Sequence, residues 1–188
     1  MLKNTKDSWG WGAQTLHWLV FVIFSALLYV GEEMSELDKT GTLFGMGKYQ
    51  VYDYHKTFGF ILLFIVFVRI SWKFMNVSPQ TSPATQLEKM GAHAVHYLLY
   101  AVMLIMPISG YVMSMAGGHG IKLFGNPEWL APNILPLNKE LAGIAHDVHE
   151  YTVYAIYVLL AVHILAAFYH HFCKKDNVLK AMLPWGRK

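Results

Sequence analysis

The 188-residue chain is 55% hydrophobic and only 14% charged, against about 25% charged in a typical soluble domain, so lipid is the expected solvent for much of it. Its formal net charge of +3 comes from scattered basic residues and excludes nucleic-acid binding. The single cysteine, Cys173, excludes an intrachain disulfide, a CxxC site, an iron–sulfur cluster and CxxCH haem attachment.

A helix crosses a bilayer with about 20 apolar residues. Residues 8–31 carry no charge and run into Glu32, Glu33 and Glu36 rather than a small-residue cleavage site. They are read as a retained span at 12–33, not a signal peptide. Between Lys56 and Arg69 only residues 57–68 are uncharged; extended to 52–73, the segment becomes a second span with both basic side chains reaching towards the interfaces. Residues 78–82 form a short connection. The uncharged stretch 90–121 holds a third span at 91–115, where Pro107 followed by Gly110 is expected to kink the helix. Residues 117–136, rich in Gly and Pro, connect it to the fourth span at 148–173, with part of the connection folding onto the membrane surface. The expected fold is an all-α membrane protein, a four-transmembrane-helix bundle making one domain over 1–188.

Basic residues set the orientation. With both termini cytoplasmic, the inner segments hold Lys3, Lys6, Arg69, Lys73, Lys89, Lys174, Lys175, Lys180, Arg187 and Lys188, and the outer ones Lys39, Lys48, Lys56, Lys122 and Lys139. That excess favours N-in, C-in.

Among the histidines in the spans, His17, His55, His149 and His163 lie at matched depths. An intramembrane histidine is costly and faces a partner in the protein interior. His149 and His163 are fourteen residues apart, nearly four helical turns, so they share one face and lie roughly 21 Å apart along the axis. His17 matches His163 at the inner leaflet, and His55 matches His149 at the outer one. Two imidazoles from different helices suit a six-coordinate haem iron, which leaves no open position and points to electron transfer. Arg69, fourteen residues after His55, is the expected partner of an inner-haem propionate.

The segments LHW (16–18), HKTFG (55–59), HxxHYLLY (93–100), PISGY (107–111), HxxxxxxHH (163–171) and KDNVLKAML (175–183) resemble, in order and spacing, the prokaryotic cytochrome b561 family. The resemblance covers the chain from about Leu16 to Leu183. It implies a four-helix protein of the bacterial inner membrane with two haem b groups, bound by His17 with His163 and by His55 with His149. The superoxide oxidases of that family take electrons from periplasmic superoxide at the outer haem, pass them to the inner haem and reduce ubiquinone near the cytoplasmic side. By the same resemblance His170 and Trp18 fall at the quinone site, with His96 a further candidate. Their plainer roles are a basic helix end shared with Lys174 and Lys175, and an interfacial anchor.

The outer segments carry more carboxylates than basic residues, which is unfavourable for attracting an anion such as superoxide unless the lysines cluster. The alternative is a quinone-linked cytochrome b electron carrier that serves a separate periplasmic redox protein. A histidine-lined transporter would need carboxylates deep in the membrane, whereas Glu32, Glu33, Asp53 and Glu150 fall only near the span ends. His93 with His96, and His146 with His149, have metal-compatible spacing but no HExxH arrangement. His119 reads as a loop residue. Met103, Met106, Met113 and Met115 are expected to fill gaps between helices.

Overall fold

The computed structural model describes residues 1–79 and 85–183. Arg187 and Lys188 of the charge count, and residues 80–82 of the short connection, lie outside them. Four long helices carry the chain: α1 (Trp11–Glu36), α2 (Lys48–Phe74), α3 (Gln86–Ala116) and α4 (Lys139–Tyr169). The last continues through a π-helical turn to Lys174, so the helical segment reaches 36 residues. A short α5 (Val178–Met182) follows, and a two-stranded hairpin, β1 (Thr42–Leu43) with β2 (Met46–Gly47), joins α1 to α2.

All four long helices have the length and composition to cross a membrane. Large apolar side chains along them, such as Val22, Phe64, Val158 and Leu165, are exposed, as suits a surface solvated by acyl chains. The helices run past the expected spans because their ends are capped by polar groups. Thr85 and Glu88 form a reciprocal capping box at the start of α3, with Thr85 N donating to Glu88 Oε2 at 2.8 Å and Glu88 N to Thr85 Oγ1 at 3.3 Å. Asn138 Oδ1 accepts from Leu141 N at 3.0 Å ahead of α4. The helix α3 runs unbroken through Pro107.

The chain divides into two compact units, and each long helix contributes a segment to both. The first comprises residues 1–20, 65–103 and 154–188. Here the N-terminal residues turn back on the start of α1, where the carbonyls of Met1 and Leu2 accept from Trp11 N and Gly12 N. Gly10 makes that turn possible, since a Cβ there would lie 2.2 Å from Leu2 O and 2.5 Å from the Lys3 carbonyl carbon. Gly10→Ala is therefore expected to destabilise this unit by about 1–3 kcal/mol through overpacking against backbone, read as a lower melting temperature in detergent. The C-terminal segment is tied to α1 by buried Gln14, whose Nε2 donates to Ala181 O at 2.8 Å, and by Trp18 Nε1, which donates to Met182 O at 2.8 Å.

The second unit comprises residues 21–64 and 104–153. Its hairpin turns at Phe44 and Gly45, both at positive φ (53° and 77°), as a two-residue hairpin loop of this hand requires. The connection after α3 packs inward: Ile121 and Ala131 are buried with Met115 against Phe60, Tyr111, Leu123 and Leu135. Fully buried Thr57 holds this connection down, accepting from Phe124 N at 2.9 Å while donating to Asp53 O at 2.7 Å in its own helix.

Candidate redox sites

Each unit contains one pair of the histidines singled out above. In the first, α1 supplies His17 and α4 supplies His163, with ring centroids 6.2 Å apart and planes at 57°. Arg69, from α2, donates to His17 Nδ1 at 2.9 Å and to His17 O at 3.2 Å. A guanidinium has no lone pair to offer, so it can only donate to Nδ1. His96, from α3, lies edge-on to His163 at 5.3 Å between centroids. One turn later Tyr100 presents its ring to both Arg69 (5.8 Å) and Lys73 (5.7 Å).

In the second unit His55 from α2 and His149 from α4 line one open-mouthed cavity with Lys56, Gly59, Phe60 and Tyr111. His149 Nδ1 lies 2.9 Å from Met106 O and 3.1 Å from Ser109 Oγ. A carbonyl only accepts, so the ring hydrogen sits on Nδ1 and Nε2 keeps its lone pair. Two glycines make room for the rings: a Cβ on Gly110 would lie 3.1 Å from His149 Cε1, and one on Gly31 would lie 3.3 Å from His55 Cε1. His55 Nδ1 is buried with no hydrogen-bond partner among the described residues.

The three residues expected at a quinone site are held in different ways. His96 stands beside His163. Trp18 lies edge-on to His17 at 5.3 Å, with its indole N–H on Met182 O. His170 Nδ1 is 2.5 Å from Asp176 Oδ2 across the turn that ends α4, where Lys175 adopts a left-handed conformation. His146 lies exposed near Asp147 and Glu150, and no cluster of three or more metal-binding side chains occurs among the described residues. Met103 and Met115 are buried, as gap-filling requires. Ser109, Gly31, Thr57 and Tyr100 were given no role from the sequence, Gly110 was read only as part of a kink, and Lys73 entered only the charge count. Only the PISGY segment offered a signal, in the Ser and Gly beside Pro107.

The model of the prokaryotic cytochrome b561 family matches residues 8–185. The chain belongs to that family. It is 29% identical over 182 residues to "Cytochrome b561 homolog 2" of Escherichia coli K12, covering 96% of this chain and 93% of that protein. It is 26% identical over 170 residues to "Cytochrome b561 homolog 1" of the same organism, covering 90% and 93%. It is also 28% identical over 175 residues to "Probable superoxide oxidase CybB" of Yersinia pestis, covering 92% and 93%. Membership in the cytochrome b561 family implies haem b and electron transport in a multi-pass membrane protein.

The residues present fit such a group. Imidazole nitrogens bind a transition metal at roughly 2 Å, which puts the centroids of two rings facing each other across one metal about 6 Å apart. The separation of His17 and His163 matches this. In the other unit the fit rests on the cavity between His55 and His149, on two glycines where a side chain would meet the rings, and on a His149 tautomer with Nε2 available. A ligand imidazole held by a hydrogen bond from its other nitrogen is the usual arrangement around a metal.

Proposed function

We propose that this protein is a dihaem membrane cytochrome that oxidises superoxide and reduces a membrane quinone, ubiquinone being the acceptor. In this reading the whole chain, 1–188, acts as one domain in the bacterial inner membrane, with both termini cytoplasmic. Two haem b groups supply one-electron chemistry when bound. His17 and His163 hold one iron at the inner leaflet, and His55 and His149 hold the other at the outer leaflet. What supports the proposal is that His17 and His163 face each other and that His55 and His149 line one cavity, each pair coming from two different helices.

With two imidazoles holding each iron, the chain's other side chains would position, shield and tune the group rather than bind oxygen. Met106 O and Ser109 keep the His149 proton on Nδ1, and Gly31 and Gly110 let the rings in without steric strain. Lys56 lines the outer cavity and lies within electrostatic reach of Lys122 and Asp53, so it supplies positive charge where an anion would approach. The overall change balances as two superoxide ions, one quinone and two protons giving two molecules of oxygen and one quinol. His170, Trp18 and His96 are the residues proposed at the quinone end, with His170 oriented by Asp176.

The acidic excess of the outer segments favours a second reading, in which a basic redox protein docks there and the chain relays its electrons to the quinone pool. Superoxide generated by pulse radiolysis separates the two. Reduction of the purified protein near the diffusion limit, slowing as salt is added, is the expected result. Slow reduction indifferent to salt would sink the superoxide reading and leave the relay.

A further inference from the structure

Arg69 and Lys73 lie four residues apart on α2, a spacing that puts two like charges on one helix face and is mildly destabilising by itself. Both reach the same ring, Tyr100 of α3, at 5.8 and 5.7 Å. Among the described residues neither forms an ion pair with a carboxylate. Among the described residues the hydrogen bonds of Arg69 go to the carbonyls of Leu16 and His17 and to the His17 ring. Both cations are half-buried, and both lie within electrostatic reach of His96. Two converging cations with a shared aromatic backing and no anionic partner make a seat for a paired oxyanion.

We propose that Arg69, Lys73 and Tyr100 form that seat, and that its occupant is the propionate pair of the haem held by His17 and His163; this rests on the dihaem reading above. The contact between Arg69 and His17 Nδ1 sets a condition on the assignment. A donor on Nδ1 leaves the ring hydrogen on Nε2, the nitrogen that iron would take. Ligation therefore needs Arg69 to turn to another acceptor, and a carboxylate beside Lys73 is one. Lys73 then holds the second carboxylate. An anionic lipid headgroup has the same chemistry and is the competing source.

The test uses the purified holoprotein and its Lys73→Gln and Lys73→Arg variants. Loss of one positive charge near a haem disfavours the reduced form. Lys73→Gln is expected to keep two haems per chain and to shift the reduction equilibrium of this haem by on the order of tenfold towards the oxidised state, ~59 mV for a one-electron couple. The other haem should not move. The propionate bending modes in the resonance Raman spectrum should shift in Lys73→Gln. They should shift as well in Lys73→Arg, which restores the potential. Unmoved propionate modes in both variants overturn the proposal, and loss of a co-purifying anionic lipid in Lys73→Gln would then give the seat to a headgroup phosphate. If Lys73→Gln does not fold, the modes of Lys73→Arg decide alone. A wild-type preparation with fewer than two haems per chain would instead overturn the dihaem reading beneath this one.

Discussion

His149→Ala is expected to halve the haem content, from two per chain to one, and to leave the remaining haem reducible by dithionite. The imidazole is the only group α4 offers to the cavity shared with His55, and its Nδ1 proton is already committed to Met106 O at 2.9 Å. Truncation removes an iron ligand and strands the hydrogen-bonding groups that orient it. His17, His163 and Arg69 belong to the other compact unit, so their geometry should survive. Haem-to-protein ratio by pyridine haemochrome reads the result, with a reduced-minus-oxidised spectrum at half amplitude. Superoxide-driven quinone reduction should fall to background in the same preparation. Two haems per chain in the variant would remove His149 from the ligand set.

Lys56→Glu carries the second large expectation. Lys56 sits beside His55 at the cavity and within reach of Lys122 and Asp53, where positive potential would draw an anion towards the outer haem. Steering of this kind raises association rates by roughly 10- to 1,000-fold at low salt. Reversing the charge should lower the second-order rate constant for reduction by superoxide at least about tenfold and flatten its dependence on ionic strength. Haem content should stay at two per chain, and Lys56→Gln should fall between the two. An unchanged rate constant at low salt would mean that superoxide does not enter past Lys56, and would favour the relay reading.

The four helices and the two histidine pairs were legible before any coordinates because both are written locally. Uncharged runs of about 20 residues report lipid solvation directly, and the fourteen-residue step from His149 to His163 follows from helical pitch. Arg69 was placed near the inner pair by the same periodic argument, and the structure puts it against His17.

Other features depend on residues that no local period connects. Ser109 and Met106 reach His149 across about 40 positions, and Thr57 meets Phe124 across 67. Trp18, expected at a quinone site, gives its indole hydrogen to Met182, 164 residues away. The turn at Phe44 and Gly45 escaped notice because phenylalanine is a poor signal for positive φ. Lys73 entered only the count of inner basic residues, and Tyr100 only the HxxHYLLY segment.

By itself, then, the order of residues determined how many long apolar helices there are, which solvent they need and which histidines lie at matched depths, since hydropathy and pitch act within a few turns. Only the tertiary structure decided which nitrogen of His149 carries the proton, and that two lysines with opposite prospects exist: Lys56 beside a cavity and Lys73 beside an arginine. Those outcomes turn on contacts a few ångströms long between segments distant in the chain, and packing alone brings such segments together.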